Sequence, residues 1–144
     1  MADALGGLKE SLGGKILAIE ARSPRQTYVT VSDSDIPETA RCLFERLGGR
    51  LATVTGLDER DAVELLYHFC FDEEHTVLTV KTKVAKPDPR IASITPFLPG
   101  AEWIEREIHD LLGVRFDGHP RPERLILADD WPEGVHPLRK DERP

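Results

Sequence analysis

Cysteine is almost missing from this chain: Cys42 and Cys70 are the two in 144 residues. They fall far apart in different predicted elements, so neither a four-thiolate iron–sulfur site nor a CxxC redox pair can be built from this chain alone. Two free thiols are therefore expected rather than a disulfide. Long apolar runs are missing as well. None nears the roughly 18 residues of a spanning helix, and the opening Met-Ala-Asp-Ala-Leu-Gly-Gly lacks the basic start and apolar core of a signal peptide. Basic charge is the minority, 19 Lys and Arg against 26 Asp and Glu, for a net charge of −7. That balance argues against a nucleic-acid surface or a polybasic membrane anchor, because phosphate-rich surfaces repel it on average. The usual catalytic signatures do not occur. The glycine pairs lack the intervals of GxGxxG or a P-loop, and no serine sits in a GxSxG context. Glu105 and His109 stand four apart on one helix face, whereas a zinc-protease helix needs two histidines four apart around a glutamate, and a di-iron helix needs Glu and His three apart. His68, His75, His119 and His136 lie in separate predicted elements, where satisfied or exposed histidines are the simpler expectation.

What remains is 40% hydrophobic and 31% charged, ordinary for one soluble domain of this length. A weak helix is predicted over 4–13 through Leu5, Leu8 and Leu12, weakened by its glycine pairs. Strands follow over 15–21 and 27–31, joined by a turn at Ser23-Pro24-Arg25. Asp33, Ser34 and Asp35 precede Pro37, and Ile36, Ala40, Leu43, Phe44 and Leu47 then recur at helical spacing until Gly48-Gly49. A third strand is predicted over 50–57, with 58–61 as a polar turn. Beyond it Val63, Leu65, Tyr67, Phe69 and Phe71 share one face at period two, Asp72-Glu73-Glu74 reverses the chain, and Leu78, Val80 and Val84 line the same core. Lys81 and Lys83 point the other way, as on an exposed or edge strand. Four prolines between Lys86 and Pro99 predict an extended connector with little regular structure. The fold class expected is α+β, one domain of order α-β-β-α-β-β-β-α, with a mainly antiparallel sheet, helices packed on it and an extended C-terminal tail.

The last third is the most patterned. Ala101, Ile104, Ile108, Leu111 and Leu112 form one apolar helical stripe, and Gly113 is placed to end the helix. On its other faces Arg106 is spaced to reach Glu102 or Asp110, while Trp103, Glu107 and Asp110 make a second row; ion pairs on a solvated face are the plain alternative to a functional row. After Gly113 the apolar stretches are short and split by Gly118, Pro120, Pro122, Pro132 and Pro137, so Trp131 and Leu138 must fold back or be covered. The expected division is a domain over 1–112 and a proline-rich tail over 113–144 that docks on a partner.

The run Glu105-Arg106-Glu107-Ile108-His109-Asp110-Leu111-Leu112-Gly113, then Gly118-His119-Pro120, Arg124-Leu125-Ile126-Leu127, Asp129-Asp130-Trp131 and His136-Pro137-Leu138-Arg139-Lys140-Asp141, resembles the 30 kDa subunit family of respiratory complex I. The bacterial members are the C-type component of NADH:quinone oxidoreductase, with relatives in energy-converting NiFe hydrogenases and formate hydrogenlyase. Two features depart from the family pattern. Glu123 stands where the family has a basic residue or proline, and Pro132-Glu133-Gly134-Val135 lengthens the spacer before His136 in the manner of the hydrogenase branch. The resemblance implies a non-catalytic peripheral-arm subunit on the cytoplasmic face of a bacterial membrane, touching the membrane only through its complex. Its implied partners are the large 49 kDa-type subunit beside the quinone site, or a NiFe-hydrogenase-like one, and neighbouring iron–sulfur subunits. It implies no cofactor here, with iron–sulfur clusters, flavin and quinone, or the nickel–iron centre, in the partners. The implied interface and motif residues are Trp103, Glu105, Arg106, Glu107, Asp110, His119, Pro120, Arg124, Asp130, Trp131, His136, Pro137, Leu138, Arg139, Lys140 and Asp141. Two other classes remain open beside it, a small metal-dependent enzyme using Glu105, His109 and His119, and a free-standing adaptor.

Overall fold

The period-two alternation of residues 62–85 becomes the middle of a sheet. In the computed structural model, which describes residues 2–142, strands β4 (Ala62–Phe71) and β5 (Thr76–Ala85) pair antiparallel from Ala62↔Ala85 to Phe71↔Thr76 without a break. Every core residue assigned to them by alternation is buried, with Val63, Leu65, Phe69 and Leu78 at 0% exposure. Around the hairpin lie β1 (Ile16–Ser23), β2 (Gln26–Val31) and β3 (Arg50–Asp58), in the order β1-β2-β5-β4-β3. Three of the four pairings are antiparallel and β2–β5 is parallel. That parallel pair corrects one expectation: β5 is the central strand, not an edge. Lys81 and Lys83 do face outward, opposite Leu66 and Glu64, but Lys81 is flanked by paired strands on both sides, and Lys83 lies just past the end of the β2 pairing. A parallel neighbour whose paired residues lie 51 positions away leaves no local trace in sequence.

Helix α1 (Ala2–Leu12) buries Ala4, Leu8 and Leu12 in the same core. Helix α2 (Ile36–Arg41) runs into a π-helical turn, Cys42–Arg46, marked by the five-residue bond from Leu47 N to Cys42 O at 3.0 Å. The wider turn rotates the stripe, so Ile36, Ala40 and Leu43 stay buried, Cys42 joins them, and Phe44 swings out to 37% exposure. Sequence periodicity at 3.6 residues had placed Phe44 inside.

The connector over 86–99 is more structured than its prolines suggest. It buries Ile91, Ile94 and Leu98, and β6 (Arg90–Ala92) pairs in parallel with β7 (Arg115–Asp117) beyond the last helix, α3 (Glu102–Leu112). Gly113 ends α3 at φ 75°, donating to His109 O at 2.9 Å. Helix α3 lies close on β3, and a Cβ at Gly56 would fall 2.5 Å from Leu112 Cδ1. Packing does not break at 112/113: Val114 and Phe116 belong to the common core. Residues 1, 143 and 144 of the two expected segments lie outside the described residues.

Candidate functional site: a helix that fixes its own tail

Three charged side chains leave α3 on faces that spacing alone assigns to solvent, and all three are buried. Glu105 is at 0% exposure and accepts from Ser93 Oγ and Thr95 Oγ1, each at 2.5 Å, and from the Ile94 amide at 3.0 Å. It therefore pins the 93–95 loop to the helix. The Tyr67 hydroxyl is buried without a hydrogen-bond partner among the described residues, and burial, with the Glu105 charge adding to it, pushes its pKa well above the ordinary value. It stays neutral.

Arg106 does not pair with Glu102 or Asp110. Its guanidinium donates through Nε to Glu123 O and through Nη2 to Arg124 O, both at 2.9 Å. Asp110, one turn on, accepts the next three amides on one oxygen, from Leu125 at 2.9 Å, Ile126 at 2.8 Å and Leu127 at 3.2 Å. Burial pulls the Asp110 pKa up, yet these amides outweigh it and hold it below the usual carboxylate range. One helix face thus reads out main-chain polarity: the arginine takes two carbonyls and the aspartate takes the three amides that follow. That fixes residues 123–127 without needing an apolar side chain from them.

The rest of the tail is held in the same way. His119 Nδ1 accepts from the Arg121 amide at 2.9 Å, so the ring proton sits on Nε2, which donates to Glu102 O at 3.0 Å. His109 and His136 each turn Nδ1 to a carbonyl, Val114 O at 2.9 Å and Asp110 O at 3.0 Å, and a carbonyl only accepts. Arg124 Nη1 donates to Ala128 O at 2.7 Å, and Trp131 Nε1 closes the lengthened spacer by donating to Val135 O at 2.8 Å. The Leu138 amide reaches Leu111 O at 2.9 Å.

An ionic latch ends the tail, with the Arg139, Lys86 and Asp58 side chains buried and Asp141 half-exposed. Arg139 donates to Leu112 O at 3.0 Å and grips Asp141 through Nε and Nη2, both at 2.9 Å. Lys86 lies 2.5 Å from Asp58 and 3.1 Å from Asp141, and the Lys140 amide donates to Asp58 Oδ2 at 2.8 Å. The guanidinium of Arg139 holds the Asp141 carboxyl far below its ordinary pKa. Burial pulls Asp58 up, but Lys86 and the Lys140 amide win and lower it. Lys86 is raised, its own burial being outweighed by the two aspartates.

Of the residues marked by resemblance, the structure gathers Glu105, Arg106, Asp110, His119, Arg124, Trp131, His136, Leu138, Arg139, Lys140 and Asp141 into this network. Trp103 stands apart at 67% exposure, and Glu107, Pro120, Asp130 and Pro137 make no polar side-chain contact among the described residues. Sequence reading missed Asp58, Lys86, Ser93 and Thr95. Asp58 and Lys86 looked like turn and connector charges, and nothing in their spacing links them to a tail 55 to 83 residues later. Two of the three residues of the metal-enzyme alternative approach one another, with His119 Nε2 3.8 Å from Glu105 Oε1, while His109 turns its Nδ1 to Val114 O. However, Glu105 is saturated by hydroxyl and amide donors, and among the described residues no group of three or more His, Cys, Asp or Glu is placed to hold a metal ion. Cys42 and Cys70 are both free thiols. No helix among the described residues is long and apolar enough to cross a membrane.

The sequence pattern of a family described as respiratory-chain NADH dehydrogenase, 30 Kd subunit, matches residues 29–144. The chain is 37% identical over 141 residues to hydrogenase-4 component G of Escherichia coli (strain K12), an alignment covering 95% of this chain and 25% of that protein. It is 35% identical over 141 residues to the C-type component of NADH-quinone oxidoreductase from Roseiflexus castenholzii (strain DSM 13941 / HLO8), covering 98% of this chain and 76% of that one. Among solved structures it is similar to a chain of the membrane-bound sulfane sulfur reductase, an archaeal respiratory membrane complex, at a TM-score of 0.85 and 27% identity, covering 96% of this chain and 83% of that chain.

Proposed function

This chain belongs to the respiratory-chain NADH dehydrogenase 30 kDa subunit family, and on that premise we propose that it is a non-catalytic subunit that clamps the large subunit of a membrane-associated respiratory complex. In this reading it sits at the cytoplasmic face, meets the membrane only through the complex, and leaves flavin, iron–sulfur clusters, quinone or a nickel–iron centre to its partners.

The carrying observation is the surface that α3 builds from the tail. Four of the nine exposed large hydrophobics among the described residues, Leu125, Ile126, Val135 and Leu138, lie between 125 and 138. Their backbones are fixed by Arg106, Asp110, Arg124, Trp131 and Leu111, so their side chains are offered outward on a preorganised strap rather than a loose one. Trp131 and Pro137 lie on that strap as further apolar anchors, while Trp103 is a large exposed side chain of α3 itself. Aromatic anchors of this kind commonly carry interfaces. The lengths of the relatives support a large subunit as the occupant. The same domain forms most of a separate subunit in Roseiflexus and a quarter of a long hydrogenase chain in Escherichia coli. A module found both as a separate chain and within a longer one supports a surface built to pack on the remainder of the longer chain.

Two complexes fit, NADH:quinone oxidoreductase first and an energy-converting NiFe hydrogenase second. The spacer favours the second: Pro132–Val135 form a closed turn, with Gly134 at φ 76° and the indole bond across it. Gentle solubilisation of native membranes, capture of the tagged chain and mass spectrometry test the proposal. A large subunit with a flavin-binding NADH subunit identifies the first complex, and a large subunit with nickel-ligating cysteines and no flavoprotein the second. Recovery of no large subunit overturns the clamp. Ile126→Ser and Trp131→Ala are expected to reduce the captured large subunit while the chain stays folded. Arg139→Ala is the weaker test, because that side chain also holds the tail from within.

A further inference from the structure

Beside the strap, between α3, β7 and the 117–122 loop, lies a cavity of about 230 Å³ lined by Glu105, Arg106, His109, Phe116, His119 and Pro122, with Arg115 and Asp117 at its wall. It has room for several waters or one side chain. Its charges do not balance equally. Glu105 is satisfied by three donors, Asp117 is answered by Arg90 at 3.0 Å, and Arg115 by Asp88 at 3.6 Å. Arg106 is 7% exposed and has no carboxylate within salt-bridge distance among the described residues. Its two hydrogen-bond partners are carbonyls, which carry no net charge, and Nη1 makes no hydrogen bond among the described residues. A buried guanidinium without a counter-ion is costly, and its planar fork suits a carboxylate.

We infer that this cavity is a socket for an acidic side chain of the large partner subunit, received by the free edge of the Arg106 guanidinium with Arg115 at the mouth. The inference rests on the clamp reading and deepens it by naming the chemistry of one anchor. Asp117 and Glu105 beside the cavity penalise a dianion twice over, so a monoanionic carboxylate is favoured over phosphate. Phe116 and Pro122 give the methylene stem an apolar wall. The socket is also continuous with the strap, because the carbonyls Arg106 holds belong to Glu123 and Arg124, immediately before the exposed Leu125 and Ile126.

The test has two arms on the full chain. In the first, acetate is titrated into the labelled protein and the Arg106 Nε–H resonance is followed by NMR. A saturable shift, weakened at least about tenfold by Arg115→Glu and not reproduced by inorganic phosphate, is expected. The absence of a saturable shift, or equal binding of phosphate, overturns the inference. In the second arm the complex is captured with Arg115→Glu, Arg115→Ala and Ile126→Ser chains. Arg115 is half-exposed and its loss leaves the tail bonds intact. Arg115→Glu is expected to lower the retained large subunit by about tenfold or more, with Arg115→Ala milder. If Ile126→Ser loses the large subunit while Arg115→Glu retains all of it, the socket is wrong and the clamp stands. Acetate binding with an unaltered Arg115→Glu complex assigns the cavity to a free carboxylate and likewise overturns the partner side chain. If Ile126→Ser also retains the large subunit, the clamp itself fails.

Discussion

The sheet and the tail are two solutions to the problem of ordering a chain. In β4 and β5 order comes from area: alternating Val, Leu, Tyr and Phe side chains leave water together, and the backbone bonds follow from the pairing. Over 119–142 little apolar area is buried, and order comes from polar groups, with α3 offering Arg106, Asp110, the carbonyls of its last turn and the Asp58–Lys86 pair as fixed partners. The difference is instructive. A strap held by its backbone leaves its large side chains facing solvent, whereas a strap held by its side chains would have spent them on its own core.

If the comparison is right, the largest effect belongs to the sheet. Phe69→Ala is expected to cost about 3–5 kcal/mol and to lower the urea midpoint of the whole molecule, tail and sheet together. Asp110→Ala is expected to act more locally, at about 1–3 kcal/mol, because it strips three amides of one acceptor. Hydrogen exchange should speed at Leu125, Ile126 and Leu127 while the amides of β4 and β5 keep their protection. Equal loss in both regions would erase the distinction.

Gly113→Ala should come next, at about 1–2 kcal/mol for a left-handed residue gaining a Cβ. That Cβ would also meet His136 Cδ2 at 2.6 Å, so limited proteolysis is expected to cut the tail sooner while circular dichroism of the sheet is retained. The smallest change is expected from Lys83→Ala. It removes an exposed ion pair with Glu59 and should shift stability by less than about 0.5 kcal/mol in a thermal melt.

Acid sharpens the same contrast without a mutation. Asp58, Asp110 and Asp141 all have pKa values below the unfolded value of 3.8. A lowered carboxylate stabilises above its unfolded pKa and loses that contribution as pH falls through the folded one. Tail amides should therefore lose protection below about pH 4, before those of the hairpin, which has no such group in its core. Lys86 runs the opposite way, its contribution fading only as pH rises past 10.5.

Legibility followed the same divide. Period two placed Val63 through Phe71 correctly because burial on one face repeats locally, and the glycine at 113 was readable because only the left-handed region ends the helix there. The parallel β2–β5 pair, the β6–β7 pair and the π turn that expels Phe44 were not readable, since each depends on a neighbour distant in sequence or on one extra residue in a turn. In the site, the motif residues were legible as a pattern but not as a set of contacts. Arg106 was spaced for Glu102 or Asp110 and instead holds Glu123 and Arg124 by their carbonyls, a partner type that carries no side-chain signal.

The amino-acid sequence by itself determined the α+β class, the order of the three helices and the five strands of the main sheet, the core of the hairpin, the end of α3 and the family, because local periodicity and an ordered motif carry those. Tertiary structure decided which of the charged residues are inside. Glu105, Arg106, Asp110 and Arg139 are indistinguishable in sequence from a solvated helix face and a polar tail, and they become buried only when the 93–95 loop, the 123–127 carbonyls and amides, and the Asp58–Lys86 pair arrive to satisfy them. Burying a charge is favourable only with its partners in place, and no residue's own neighbours in the chain can say whether they will be.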